Sequence, residues 1–240
     1  MPNLFVSGCS FSDYTEVEIN WGQTLSELLN YNYVHLNKGG GSNDRSWREL
    51  SWQILEQEIT DKDLVILQYT NINRREFPST EFGLQKITDI QWKEVNTNRF
   101  GTFYTTAFKQ DSDVWQVHDT DRSLHRSYQR AAPEITWHKT HFYTQHKMFD
   151  ALCKKHNINI IYLHTRYLLD HIHLHEYNQD CNILNELDYF NATEENDMCL
   201  GYANGKFDYF DNSHLSEKGH IHLANKINQY LIDNKIVNVL

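Results

Sequence analysis

Leu4-Phe5-Val6-Ser7-Gly8-Cys9-Ser10-Phe11-Ser12 decides how the rest of the chain is read. An apolar run stops at a glycine, and a serine follows two residues later. A buried strand ending in a small-residue turn is the pattern of an open α/β sheet, whose chemistry sits just past the carboxyl ends of its strands. A serine placed there can present its hydroxyl while the N–H groups of the turn gather around it. Alone the pattern is weak, since most Gly-x-Ser serines only cap a turn.

The far end of the chain adds weight. Asp211-Asn212-Ser213-His214-Leu215-Ser216-Glu217-Lys218-Gly219-His220 sets an Asp three residues before a His, ahead of a final helix. A serine nucleophile needs a base within hydrogen-bond reach, and that base needs an orienting carboxylate. Asp211 and His214 lie close enough in sequence for a single loop to hold both. Between the ends stand a glycine cluster, Gly39-Gly40-Gly41-Ser42-Asn43, and a strand that closes on Gln68-Tyr69-Thr70-Asn71.

Working outward, strands are expected over 3–7, 33–37, 64–69 and 158–163. Leu64-Val65-Ile66-Leu67 is continuously apolar, as a parallel strand covered on both faces should be. Helices are expected between them. One carries Trp21, Leu25, Leu28 and Leu29 at helical spacing. The next starts at Ser42 or Asn43, buries Trp47, Leu50, Ile54 and Leu55, and ends near Thr60. A third runs from about 134 to 156 with Trp137, His141, Met148 and Leu152 on one face and Phe142 and Phe149 close by. The last begins at the N-cap Ser216 and runs through Leu223, Ile227, Tyr230 and Leu231. The alternation of strand and helix predicts an α/β three-layer sandwich around a central parallel sheet. Residues 77–135 break the rhythm. They are polar and rich in aromatics, with a strand expected over 102–108, and read as an insertion or lid within a single domain spanning 1–240.

The 240 residues suffice for one such domain with a proper core. A net charge of −10 disfavours binding to a phosphate backbone. There is no apolar run of about 18 residues to cross a membrane. No basic and apolar leader precedes the first strand, so a cytoplasmic setting is expected. Four cysteines, at 9, 153, 181 and 199, show no Cys-x-x-Cys spacing and read as reduced thiols.

With these residues in place, the sequence resembles the SGNH (GDSL-type) hydrolase family. Gly8-Cys9-Ser10-Phe11 is similar to its first block, Asn37 to Gly41 to its second, Thr70-Asn71 to its third, and Asp211 with His214 to its Asp-x-x-His block. Leu215-Ser216-Glu217-Lys218-Gly219 continues the likeness, which covers roughly 1–75 and 155–240. Three positions depart from it: Cys9 replaces an Asp, Tyr69 a Gly and Ile72 an Asp. The resemblance implies an SGNH/flavodoxin-like fold. It implies a serine ester hydrolase with Ser10 as nucleophile, His214 as base and Asp211 as its orienting acid. The oxyanion would be held by the N–H groups of Ser10 and Gly41 and by the amide of Asn71, or of Asn73 in its place. No metal or organic cofactor is implied.

The expected partner is a small-molecule or glycan ester, with O-deacylation of carbohydrates inside the family's breadth. No nucleic-acid or membrane partner is expected, and the oligomeric state stays open. The alternative is a catalytically inactive SGNH-like module of a larger assembly, such as a virus particle. Cys9 is a lesser nucleophile candidate. His171, His173 and His175 alternate as metal ligands on a strand would, although a His-rich polar loop more often just sits in water.

Overall fold

The computed structural model describes residues 1–9, 12, 17–37, 41–70, 72, 74–78, 93–98, 101–107, 135–164, 183–185, 210–211 and 214–236. Five strands form one sheet: β1 (Asn3–Ser7), β2 (Asn32–His35), β3 (Leu64–Gln68), β7 (Asn159–His164) and β8 (Ile183–Asn185), in the spatial order β2-β1-β3-β7-β8. Every pairing in it is parallel. The helices α1 (Trp21–Leu29), α2 (Asn43–Leu55), α3 (Ile135–Lys155) and α4 (Glu217–Asp233) cover it on two faces.

Side chains of successive strand residues point to opposite faces, and here both faces are apolar. Leu4, Val6, Leu64, Ile66, Ile161 and Leu163 pack with Trp21 and Leu25 of α1 and with Leu223, Ile227 and Leu231 of α4. Phe5, Val65, Leu67, Ile160 and Tyr162 pack with Trp47, Leu50 and Ile54 of α2 and with Phe142 and Phe149 of α3. The expected three-layer α/β sandwich is therefore present, with β8 as a fifth strand.

The helix starts follow their caps. The Asn20 side chain accepts from the Gln23 N–H, that of Ser42 from Arg45, and that of Ser216 from Gly219. Each satisfies one of the orphan N–H groups of a first turn. α1 closes on Asn30 in the left-handed conformation, φ 56°.

Four helix residues or bounds differ from the pattern expected. α2 stops at Leu55, short of Thr60, and Leu55 is exposed, as is Leu28 of α1. In α3 the buried stripe is Phe142, His146, Phe149 and Cys153, spaced by four, three and four residues, whereas Met148 is 63 % exposed. The stripe is displaced because one of its members is a histidine, which an apolar pattern does not count.

A second sheet of three antiparallel strands, β4 (Arg74–Pro78), β5 (Lys93–Asn98) and β6 (Gly101–Ala107), in the order β4-β6-β5, begins three residues before the stretch expected to be inserted and continues into it. β6 is the strand expected over 102–108. A two-stranded antiparallel pair, β9 (Phe210–Asp211) and β10 (His214–Leu215), precedes α4. No helix among the described residues is long and apolar enough to cross a membrane.

Candidate active site at the carboxyl edge of the sheet

β1 has β2 on one side and β3 on the other. The chain passes from β1 to β2 on one side and then crosses to β3 on the other, and this reversal of strand order is where such a sheet opens a crevice, at the carboxyl ends of β1 and β3. Gly8 and Cys9 continue β1 into that crevice. The Ser12 N–H donates to the Cys9 carbonyl at 3.0 Å, bracketing Ser10 and Phe11, which lie outside the described residues.

Ser12 is fully buried and held from three sides. Its hydroxyl donates to Gln68 Oε1 at 2.5 Å and accepts from Trp21 Nε1 at 3.2 Å, while its carbonyl accepts from Asn20 Nδ2 at 3.2 Å. Gly8 sits hard against the same Gln68: a Cβ at position 8 would stand 2.9 Å from Gln68 Cβ. The glycine of Gly-Cys-Ser is thus required by close approach of two neighbouring strand ends.

The first turn of α2 forms the next part of the edge. Gly41 is buried immediately before the cap Ser42. The Asn43 side chain makes a two-point clamp on Thr70, accepting from its N–H at 2.8 Å and donating to its carbonyl at 3.0 Å. Arg45 donates to the Leu36 carbonyl at 2.7 Å and pairs with Glu49 at 2.7 Å, both side chains nearly buried. One helical turn therefore ties down the ends of β2 and β3 together. Beside it, Asp44 and His141 Nε2 meet at 3.0 Å at the head of a groove of about 600 Å³ between α2 and α3, floored by Trp47 and Phe149.

Tyr69 and Ile72 occupy positions where the SGNH pattern has Gly and Asp. Both are core residues of the α2/α3 face. The Tyr69 ring stacks on Tyr162 with centroids 5.6 Å apart and meets Phe142 edge-on at 4.8 Å. Its hydroxyl is hydrogen-bonded to His146 Nδ1 at 2.6 Å. Burial pushes the His146 ring down to about 4; Asp150 opposes the shift, and the charges of Lys154 and Lys147 add to it. Burial likewise pushes the Cys153 thiol up to about 12, with Asp150 in the same sense. Cys9 and Cys153 are both buried free thiols.

At the C-terminal end, β9 and β10 place Asp211 directly opposite His214 in an antiparallel pair. Opposed residues in such a pair have Cα atoms about 4.5–5.5 Å apart. His220, one turn into α4, is buried, and its Nδ1 accepts from the Trp21 N–H at 3.0 Å. Trp21 in turn reaches Ser12. The two ends of the chain therefore meet through buried side chains.

Of the sequence-derived site residues, Asp211 and His214 are thus brought together and Gly41 stands at the head of α2. Ser10, Asn71 and Asn73 lie outside the described residues, as do His171, His173, His175, Cys181 and Cys199. The sequence marks Asn43 only as a possible cap and marks no role for Ser12 or Gln68. No signal short of the fold itself marks a polar side chain that will be buried against a strand end.

No protein-family model and no curated protein matches the chain. Solved structures do. A protein of Desulfitobacterium hafniense DCB-2 assigned to the lipolytic G-D-S-L family matches at TM-score 0.54 and 10 % identity, over 96 % of this chain and 100 % of that one. Protein YXIM of Bacillus subtilis matches at TM-score 0.51 and 12 % identity, over 99 % of this chain. The chain spans 58 % of the length of that protein. The chain has the fold of the SGNH (GDSL-type) hydrolases.

Proposed function

We propose that the protein is a serine ester hydrolase of SGNH type, acting through an acyl-enzyme on small esters, with O-acylated carbohydrates as the substrate class. Ser10 Oγ attacks the ester carbonyl carbon as His214 Nε2 takes its proton, and Asp211 steadies the imidazolium. The oxyanion is received by the N–H groups of Ser10 and Gly41 and by the amide of Asn71. Collapse expels the alcohol, which leaves with the proton from His214. Water then attacks the acyl-enzyme, giving its proton to His214, and the carboxylic acid departs as Ser10 takes that proton back. Losing one oxyanion donor typically costs about 2.7–4 kcal/mol of barrier.

The observation that carries this reading is the buried run from His220 through Trp21 to Ser12. It joins the segment bearing Asp211 and His214 to the turn that brackets Ser10. The stretch 77–135, most of which lies outside the described residues, is assigned the role of a lid over the same edge, on the ground that β4, which leads into it, starts four residues after Thr70. The test is a panel of chromogenic esters of rising acyl length, together with acetylated sugars, against wild type and Ser10→Ala. Turnover by wild type alone supports the reading. Equal turnover by both removes Ser10 as nucleophile, and silence from a folded wild type leaves the non-catalytic module.

A further inference from the structure

We infer that Asn43 is the positioning residue of the oxyanion site, an inference that rests on the hydrolase reading above. The proposed side-chain donor, Asn71, directly follows Thr70, and the proposed backbone donor, Gly41, lies two residues before Asn43. One of these segments is a strand end and the other a helix start, so their spacing is set by tertiary contacts. Asn43 supplies the link. Its amide oxygen accepts from the Thr70 N–H at 2.8 Å and its amide nitrogen donates to the Thr70 carbonyl at 3.0 Å.

A two-point contact to a single residue fixes orientation as well as distance, which a single hydrogen bond does not. Asn43 is itself anchored. It is buried, its helix is capped by Ser42 one residue earlier, and Arg45 pins the end of β2 through the Leu36 carbonyl at 2.7 Å. Tyr69, on the other side of Thr70, is held by His146. The two residues that follow β3 are thus locked from both helices of one face, and the clamp at Thr70 is the lock nearest Asn71. A donor set for a developing oxyanion works only when its spacing is set beforehand, so loosening this clamp weakens transition-state binding and leaves ground-state binding in place.

The discriminating variant is Asn43→Asp. An ionised Asp keeps the acceptor for the Thr70 N–H but faces the Thr70 carbonyl with a second acceptor. A protonated Asp restores the donor and so reproduces the asparagine pair. The experiment measures kcat and KM of wild type and Asn43→Asp on one chromogenic ester across pH 5 to 8, with circular dichroism at each pH to confirm the fold. At pH 8 the variant should lose roughly 10- to 100-fold in kcat, less than loss of a whole oxyanion donor, with KM within about twofold. The ratio of variant to wild-type kcat should rise as pH falls, because loss of the base is common to both and cancels. A folded variant whose kcat matches wild type, or whose deficit is the same at every pH, overturns the role of Asn43 while the hydrolase reading stands. A wild type without turnover overturns the hydrolase reading and this role with it.

Discussion

The backbone N–H of Trp21 donates to Nδ1 of His220 at 3.0 Å, a contact between residues 199 apart in the sequence. Trp21 opens α1, so its N–H is one of the orphan donors of a helix start, and here it is buried. His220→Ala would leave that donor without its acceptor, a loss of about 1–3 kcal/mol. Urea denaturation should show the midpoint moving down with an unchanged slope; an unmoved midpoint would mean that the contact does not matter to stability.

Gly8 and Gln68 make a second, sterically defined pair. Gly8→Ala places a Cβ 2.9 Å from Gln68 Cβ, so one strand end must shift, at a cost of about 1–3 kcal/mol. Adding Gln68→Ala should not restore the thermal midpoint, because alanine keeps the offending Cβ and forfeits the bond to Ser12. Full recovery in the double variant would show that the rest of the Gln68 side chain, and not strand-end approach, sets the requirement for glycine.

Acid should destabilise the fold in two stages. The buried ring of His146 is held down to about 4, whereas in the unfolded chain it titrates near 6.5. Below about pH 6.5 the unfolded state takes up a proton that the folded state refuses. Stability present above that pH is therefore lost as pH falls towards 4, by something on the order of 3 kcal/mol. Asp63 adds a second stage. Burial alone would raise its carboxyl, but bonds from the N–H groups of Asn3 and Thr60 and from their side chains hold it lower. Its contribution is present above about pH 4 and fades as pH drops through its lowered value. Stability measured from pH 8 to 3 in wild type and His146→Phe should show the first stage only in wild type. Parallel curves would contradict the assignment to His146.

Much of this architecture is legible in the residues alone. Four strands and four helices follow from apolar periodicity and from the caps Ser42 and Ser216, since burial and orphan N–H groups act locally. Asp211 and His214 are visible because their spacing is short, and the structure sets them opposite each other. The strand-end clamps are not visible. Asn43 on Thr70 and Ser12 on Gln68 are polar pairs 27 and 56 residues apart, and no sequence period connects them. His146 is hidden for a related reason: the Tyr69 hydroxyl that meets this histidine in the aromatic core comes from 77 residues away. Leu28 and Leu55 erred the other way, as leucines on helix faces that the sheet does not reach.

The most direct measurement is covalent labelling of the folded protein by a fluorophosphonate, read by peptide mass spectrometry. A serine hydroxyl near pH 7 is a poor nucleophile unless a base activates it, so modification reports the assembled site. The account predicts a single adduct on the peptide carrying Ser10, absent in Ser10→Ala and nearly absent in His214→Ala. It also predicts that Asp211→Asn slows ester turnover by something on the order of 10⁴ without unfolding the chain. A folded wild type that takes up no label at Ser10 would contradict the account and leave the fold without the chemistry.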